Sequence, residues 1–449
     1  MKKFLPAIFC TLFVMSFTAT AFAIHAEIPS ETQAVVAAGT TRLHIGGDLR
    51  IRGWYLNNVG SPSLPGKYNS FAYYDHRVRL DVNANISPNL QGMVQLESNT
   101  GQRDTFIWGN FNSKPTDMGI RQAWIIYSGA GLLGFRAGLK IGHMPLILGD
   151  GEFFDHRKYG DDAVLAFLLP SKGLEVDLLA IKLAGDGAAI PSNIPNYGIK
   201  GYKGSKTDNT ADLDGYVAVV TYKVDGNTSV GVNYTYLNLP DFGFSHQNIG
   251  FTAKGQVSGF GYRAAADFQF GSNNGSLPAG AGRKFRGYAV LAGLNYMIDK
   301  VNLRAGFAYG SGDDDATDDK HSQFEDYLTT SQRYTLVYEY KITTTAGRLH
   351  SGVSNTTYYN LGLDLKPVKD MKVALNGYII RASATMDGIS KDAGWEVDGR
   401  IDYHISKNLV YRVDAGYFEA GSFYPDTYSE LNGKKEEATV LRHLVELSF

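Results

Sequence analysis

Charged side chains recur at every second position in two early segments of this sequence. Arg50 and Arg52 follow Asp48 at this spacing, and Arg77 and Arg79 repeat it in the next segment. A guanidinium group can form two parallel hydrogen bonds with a carboxylate or a phosphate, so a row of arginines suits contact with anions. Interleaved acids could instead pair with the arginines and stiffen a wall. The charges therefore predict either an anion-selective surface or an ion-paired support.

Later segments repeat the pattern with other mixtures of charge. One of them is mostly acidic and contributes Glu396, Asp398 and Asp402. The full candidate set comprises Arg50, Arg52, Arg77, Arg79, Asp48, Asp81, Arg121, Arg136, Lys140, Arg263, Arg304, Glu396, Asp398, Arg400 and Asp402. Neighbouring walls of opposite sign can orient a polar solute and set ion selectivity.

An acidic run offers a weaker candidate for metal chemistry. Asp313, Asp314 and Asp315 directly follow Gly312. Clustered carboxylate oxygens are ligands that Ca²⁺ prefers. The run lacks the ligand spacing of an EF-hand loop, so a solvated acidic loop is the preferred interpretation. The three aspartates form only a weak calcium candidate.

Enzymatic chemistry finds no support in the motifs. His143, His156 and His404 lack metal-ligand spacing to one another. A hydrolase needs a nucleophile, a base and an orienting group together, and no nucleophile elbow or metal motif occurs. The sequence therefore predicts no catalytic residue, no cofactor and no enzyme activity. A formal net charge of −2 gives no signature of nucleic-acid binding either.

The charged positions alternate with apolar ones, which indicates β-strands. Within the stretch 42–55 one face carries the charges, and the other carries Leu43, Ile45, Leu49 and Ile51. A period of two is the pattern of a strand with one polar and one apolar face. In a soluble protein the apolar face would need a second sheet or amphipathic helices as cover. The sequence shows no convincing run of such helices.

Composition and the N-terminus limit the class of protein. Residues 1–23 of the 449 predict a secretory signal peptide, with a basic start, an apolar run and a small-residue cleavage site ending at Ala23. Its removal takes away Cys10, the only cysteine, which excludes disulfides and thiol chemistry in the mature chain. No later apolar run reaches the roughly 18 residues of a membrane-spanning helix. A soluble secreted β-protein and a transmembrane β-barrel remain.

Short and long connections alternate along the chain and favour the barrel. The eight short connections are 87–89, 128–133, 170–173, 224–227, 255–258, 298–300, 366–370 and 406–408. The nine long ones are 57–71, 100–117, 143–160, 184–211, 238–246, 272–283, 312–353, 384–393 and 422–437. Transmembrane barrels have short periplasmic turns and long outer loops. We therefore predict an all-β, antiparallel barrel of eighteen strands over 41–449, with both ends periplasmic and 24–40 as a periplasmic lead-in.

One segment tests this count. Tyr334–Lys341 has the composition of a nineteenth strand. A nineteenth strand would make the number odd and place a long connection on the short-turn side. We therefore assign it to the 312–353 loop, as a small hairpin or helix folded over or into the pore.

Aromatic residues and the C-terminus carry further membrane signals. Tyrosines near strand ends predict interfacial girdles; they are Tyr55, Tyr73, Tyr74, Tyr234, Tyr236, Tyr288, Tyr296, Tyr309, Tyr403 and Tyr417. The chain ends in Phe449, which closes an alternating segment. A terminal Phe in this position resembles the signal by which bacterial outer-membrane proteins engage their assembly machinery.

Several short motifs resemble alginate-export-type outer-membrane proteins. The segment Ile141–Phe154 resembles the strand-to-loop segment with a Gly-Asp pair, and Tyr309–Asp315 resembles the Ser-Gly-Asp start of a loop. The segment 394–398 resembles a late strand with inward Glu and Asp, and 121–123 resembles an early Arg-Gln-Ala strand. The resemblance implies an eighteen-stranded, porin-like barrel and leaves the substrate open.

Together these patterns predict a channel in the bacterial outer membrane. Its function would be passive diffusion of small hydrophilic or charged solutes, with anions or sugar acids preferred, and the charged candidate set would line the pore. Its partners would be outer-membrane lipid, the assembly machinery through Phe449 and small polar solutes, with a homo-oligomer left open. The alternatives are a sheath around a partner such as a cytochrome, a polysaccharide exporter, and a soluble periplasmic β-protein.

Overall fold

The computed structural model describes most of the chain after residue 33. The described residues are 34–38, 41–59, 70–99, 106–108, 117–130, 134–184, 213–240, 243–273, 283–315, 317–329, 332–340, 352–428, 431 and 433–449. The predicted signal peptide, and most of the loops at 57–71, 100–117 and 184–211, lie outside these residues.

Eighteen long strands follow one another along the chain. They are β1 Thr41–Asn57, β2 Ser70–Ser87, β3 Leu90–Asn99, β4 Asp117–Ala130, β5 Arg136–Met144, β6 Asp161–Ser171, β7 Leu174–Ala184, β8 Leu213–Lys223, β9 Ser229–Leu239, β10 Phe244–Val257, β11 Phe260–Asn273, β12 Tyr288–Ile298, β13 Val301–Gly310, β14 Thr356–Leu365, β15 Met371–Ala382, β16 Asp392–His404, β17 Leu409–Ala420 and β18 Glu437–Ser448. The predicted number of strands is confirmed.

Each long strand pairs antiparallel with the next, and the last pairs with the first. The closing pair runs from Asp48 opposite Ser448 to Asn57 opposite Thr439. A closed barrel leaves no strand edge unpaired, which is the condition for a sheet to cross a bilayer. Phe449 continues this seam, since its backbone N–H donates to the Gly47 carbonyl at 3.0 Å and its carbonyl accepts from the Gly47 N–H at 2.8 Å.

The alternation predicted from the sequence separates the two faces of the wall. Apolar side chains on the outer face remain exposed in the isolated chain, for example Leu361 at 72% and Ile125 at 62%. Charged side chains from the intervening positions face the interior. No helix among the described residues is long and apolar enough to cross a membrane.

Tyr73 is an exception among the tyrosines predicted to form girdles. It lies opposite Trp54 in the β1–β2 register, and the two rings stack with centroids 6.0 Å apart on the inner face. Tyr74 is 45% exposed on the outer face. Because consecutive strand residues point to opposite faces, only one of two adjacent tyrosines can meet lipid. The girdle assignment of Tyr73 was wrong.

Short strands and helical turns lie beside the eighteen long strands. Residues Ala34–Ala38 of the predicted lead-in pair with the start of β1. Phe106–Ile107 pair with β2, and Arg283–Phe285 pair with both β11 and Lys320–His321. Within the described residues, a helical turn lies at Phe423–Thr427 and a 3₁₀ turn at Tyr338–Tyr340.

Two long connections fold into the lumen and meet there. One joins β5 to β6, and the other joins β13 to β14. Strand segments Ile147–Leu148, Phe154–Asp155 and Tyr327–Leu328 form a small sheet that links the two connections. Residues 332–340 form turns rather than a barrel strand, which confirms their assignment to the long loop. We call residues 145–160 the first inner loop and the described residues of 311–355 the second inner loop.

Candidate functional site

The predicted arginines of β1 and β2 lie on one wall of the lumen, in register with acids. Arg52 donates to Asp75 at 2.7 and 2.9 Å, and Arg77 donates to Asp48 at 2.6 Å. Arg50 lies opposite Arg77 in the strand register. The four arginines therefore lie on two adjacent strands with acids interleaved between them, and their role as a positive patch that lines a pore stays a prediction.

The pairing continues onto β3 and β4. Arg79 donates to Glu97, and Arg121 lies 3.7 Å from the same carboxylate. Arg121 also donates to the backbone carbonyls of Arg157 and, at 3.1 Å, Lys158. The side chain of Arg121 thereby ties the charged wall to the first inner loop.

Trp54 adds an aromatic platform to this wall. The guanidinium of Arg52 lies 5.1 Å from the ring centroid and that of Arg442 lies 4.9 Å from it. The indole N–H donates to Asp75 at 3.1 Å. Cation–π contact and this hydrogen bond hold the arginines in defined positions.

Of the predicted acids on β16, only Asp402 is paired with an arginine among the described residues; Glu396 and Asp398 accept from backbone N–H groups instead, and the arginine pairs extend to Asp414 on β17. Arg400 and Arg442 donate to opposite oxygens of Asp414 at 2.6 and 2.8 Å, and Arg412 donates to Asp402 at 2.5 Å. On β13 and β14, Arg304 and Asp364 form a bidentate pair at 2.9 and 2.7 Å. The expected separation into a basic and an acidic wall is reduced by this pairing.

The remaining candidates are dispersed around the barrel. Asp81 accepts from the Gln95 amide at 2.6 Å, and the Lys140 ammonium lies 4.0 Å from the Trp124 ring centroid. Arg136 is exposed at the short-turn end of β5.

The acidic run at the start of the second inner loop does not assemble a metal site among the described residues. Asp313 is buried and lies 3.9 Å from Arg283 and 3.6 Å from His321. Asp315 accepts instead from the backbone and hydroxyl of Thr317 at 2.9 and 2.6 Å.

Arg333 joins the two inner loops. Its guanidinium donates to Glu152 at 2.8 and 3.1 Å, to Asp155 at 3.3 Å and to the Asp150 carbonyl at 2.7 Å. Glu152 also accepts from the Tyr334 hydroxyl at 2.7 Å. Glu152 and Asp155 are almost fully buried. Arg333 is therefore the central cation of a buried cluster of charges.

The environment of the cluster shifts the pKa values of its acids. Burial raises the pKa of Asp150, although the nearby Arg263 opposes the shift. Burial would also raise the pKa of Asp155, but hydrogen bonds from Arg157 and the charges of Arg157 and Arg333 hold it below its ordinary value. Asp155 therefore favours its ionised form in the folded loop.

Carboxylates hold the tip of the second inner loop through its backbone. Glu396 on β16 accepts hydrogen bonds from the backbone N–H groups of Leu336, Val337 and Tyr338 at 2.8, 2.7 and 2.8 Å. Asp398 accepts a further one from Leu336 at 3.2 Å. These contacts place residues 332–340, which we call the constriction segment, against the inner wall.

Glu339 organises the constriction segment from within. Its carboxylate accepts from the backbone N–H groups of Arg333, Tyr334, Thr335 and Gly352 at 2.9, 2.5, 2.7 and 2.7 Å. Burial raises the pKa of Glu339 to about 7, against the lowering effect of these donors.

Two cavities adjoin the constriction segment. One of about 800 Å³ lies between this segment and β12–β18, and one of about 1100 Å³ extends toward the first inner loop. Both are lined by Arg304, Arg333, Tyr334 and Tyr378. Seven basic and five acidic side chains line the first, and five basic and three acidic side chains line the second. Each cavity thus has an excess of positive charge.

Several of these residues were not singled out by sequence analysis. Glu152, Asp155, Arg333 and Glu339 lie in connections, where no period marks them. Two sequence signals lay nearby: the Gly-Asp segment at 141–154, which contains Glu152, and the segment Tyr334–Lys341, which contains Glu339.

Comparison with known proteins gives fold-level similarity alone. No family model and no curated protein matches the chain. Among solved structures, Pseudomonas aeruginosa OccK5 (OpdH) aligns with a TM-score of 0.53 and 13% identity over 90% of this chain and 98% of that one. The outer membrane protein OpdK of the same organism, also solved with vanillate, aligns with a TM-score of 0.54 and 14% identity over 90% and 98%. OccK10 (OpdN) gives 0.53 and 14% over 90% and 99%. The chain therefore has the fold of a porin-like outer-membrane β-barrel.

Proposed function

We propose that this protein is an outer-membrane channel for passive diffusion of small hydrophilic solutes, with a preference for anions. The observation that carries this proposal is the excess of basic side chains around both cavities at the constriction segment. The protein supplies a polar path across lipid, and solutes follow their concentration gradient through it.

The charge arrangement favours selectivity without tight binding. Most lumenal arginines share their charge with a carboxylate, which weakens the field of each cation. In a narrow, water-filled lumen with low-dielectric walls, even a small excess of one sign raises the local concentration of counter-ions. Salt screens such fields over about 8–10 Å at ordinary ionic strength, so selectivity should be strongest in dilute solution.

The inserted loops support a solute channel over the alternatives. A sheath for a cytochrome would need a wide, open lumen, whereas both inner loops occupy this lumen and are joined across it. A crystal structure of OpdK contains vanillate, a small carboxylate, which is consistent with passage of such solutes through this fold. We therefore do not extend the proposal to a sheath.

The alginate-export resemblance has a structural explanation under this proposal. Its Gly-Asp segment leads into the first inner loop, and its late strand supplies Glu396 and Asp398 to the constriction segment. These motifs thus coincide with the architecture of the constriction, which a channel for small solutes also needs. We therefore propose a channel rather than a polysaccharide exporter. The proposed channel has no enzyme activity, and the assembly machinery inserts it through Phe449.

Reversal potentials in planar bilayers test the anion preference. Changing Arg50, Arg52, Arg77 and Arg79 to Gln removes four lumenal cations and should shift the reversal potential across a KCl gradient toward cation preference, most at low salt. The matched control changes four exposed lysines in or next to the short turns to Gln, namely Lys172, Lys223, Lys369 and Lys407. A second variant changes Lys300, Lys366 and Lys372, which line the first cavity, to Gln. Unchanged reversal potentials in both variants would contradict the anion preference, and an unchanged value in the arginine variant alone would leave its four residues as an ion-paired support.

A further inference from the structure

Most hydrogen bonds between the constriction segment and the barrel wall go to one side chain, and they are supplemented by Asp398 and by ring contacts of Tyr334 and Tyr338 with the wall. Three successive backbone N–H groups, those of Leu336, Val337 and Tyr338, donate to the two oxygens of Glu396. A run of backbone donors around one carboxylate is a strong, charge-assisted arrangement. Its position on β16, in the middle of the hydrogen-bonded wall, makes Glu396 a rigid anchor.

Glu396 does not meet the solute path. Its side chain is fully buried, as are Val337 and Tyr338 beside it. Among the described residues neither Glu396 nor Glu339 has a salt-bridge partner, so backbone N–H groups are the main hydrogen-bond donors to Glu396. Residues at the other end of the segment, Arg333 and Tyr334, line both cavities.

We propose that Glu396 is a positioning residue that sets the size of the pore by holding the constriction segment against the wall. The inference rests on the proposed channel function and adds a determinant that touches no solute. Fixing a loop costs conformational entropy, so a segment without this anchor should sample positions away from the wall.

The first experiment compares Glu396→Gln with Glu97→Gln in single-channel recordings. A glutamine presents an amide N–H₂ where Glu396 presents an acceptor, so it opposes at least one of the three backbone donors. We expect Glu396→Gln to show a larger mean conductance and frequent transitions between levels. Glu97 is a buried lumenal glutamate paired with Arg79 and does not contact the constriction segment. Its variant changes a lumenal glutamate without freeing the constriction segment, so its recordings should show no frequent transitions between levels, whatever its mean conductance.

A disulfide provides the rescue that separates positioning from general damage. A Cβ built on Gly416 would lie 2.6 Å from both Val337 Cγ2 and Asp398 Oδ1, so positions 337 and 416 face each other across the segment and the wall, and the Asp398 carboxylate must shift to admit a cysteine pair there. The sole native cysteine, Cys10, lies in the predicted signal peptide. In the Glu396→Gln background the oxidised pair, Val337→Cys with Gly416→Cys, should restore the wild-type conductance, and reduction should abolish the restoration.

Two results would overturn the inference. One is a steady wild-type conductance in assembled Glu396→Gln barrels. The other is an oxidised disulfide, verified by mass spectrometry, that leaves the raised conductance unchanged. A wild-type protein that forms no conducting pore would instead refute the channel function. In that case hydrogen exchange at residues 336–338 tests the anchor alone, with faster exchange expected only in Glu396→Gln.

Discussion

Arg333→Met should detach the two inner loops from each other without unfolding the barrel. The change removes the cation that serves Glu152, Asp155 and the Asp150 carbonyl, while Glu152 remains buried at 2% exposure. Removing one partner of a buried ion pair costs about 3–5 kcal/mol, because the remaining charge is left uncompensated. The cost should lie near the lower end. Asp155 keeps its 2.5 Å hydrogen bond from Arg157, and Glu152 keeps the Tyr334 hydroxyl and the Arg263 guanidinium at 3.4 Å.

Arg333→Met should destabilise the inner loops and leave the barrel intact, which distinguishes this prediction from a general loss of stability. The eighteen strands are held by backbone hydrogen bonds that Arg333 does not touch, so heat-modifiable migration on gels should remain normal. The inner loops should become sensitive to limited proteolysis, and open-channel current noise should rise. Barrels that combine normal assembly with wild-type proteolysis and noise would refute the assigned role.

A double-mutant cycle then isolates the pair. Arg333→Met with Glu152→Met replaces two buried charges by apolar side chains of similar length, a change that is often nearly neutral. We expect the double variant to be less protease-sensitive than Arg333→Met alone, with a coupling energy of about 1–3 kcal/mol. Strictly additive effects would show that the 2.8 and 3.1 Å contacts contribute no coupling.

Three further outcomes follow from the same geometry. Deleting 316–350 should raise single-channel conductance with assembly intact, because the described parts of this loop occupy the lumen; unchanged conductance would place the loop outside the path. Deleting Phe449 should lower the amount of assembled barrel in outer-membrane fractions, because the seam with Gly47 and the terminal aromatic are both lost; normal assembly would contradict its role. Asp155 has a lowered pKa in the folded loop, so its ionised form stabilises the folded loop fully above the ordinary pKa of 3.8. This stabilisation is lost as the pH falls through the folded pKa. Proteolysis of the inner loops after exposure to pH 3 should therefore exceed that at pH 7, and the difference should be smaller in Asp155→Asn.

The barrel could be predicted because the sequence patterns that indicate its strands and turns are local. Alternation in stretches such as 42–55 reports which face meets lipid, and connection lengths report which end of the barrel each turn occupies. Both signals are contained within about ten residues. The same locality explains the error at Tyr73, where strand-end position was used without the period of two that places its neighbour Tyr74 outside.

The pairing of the charges was only partly predictable. Cross-strand neighbours such as Arg77 and Asp48 follow from the hairpin register, and Asp48 was recognised as a compensating acid. The bidentate partner of Arg52 is Asp75, which the alternation did not single out because it precedes the clearest part of β2. Pairs across the barrel seam, such as Arg442 with Trp54, depend on closure between the two ends of the chain.

The contacts that hold the constriction segment could not be predicted from the sequence, for a different physical reason. The contact between Leu336 and Glu396 joins residues 60 positions apart, and that between Arg333 and Glu152 joins residues 181 apart. In the first of these the loop contributes only backbone N–H groups, which every residue except proline possesses. The residue types at 336–338 therefore do not reveal the hydrogen bonds that hold this segment. The acceptor is the buried Glu396 on the barrel wall. In the sequence, an acid that lines a pore shows the same alternation as an acid that anchors a loop. Only the exposure of its side chain, which is zero, separates the two roles.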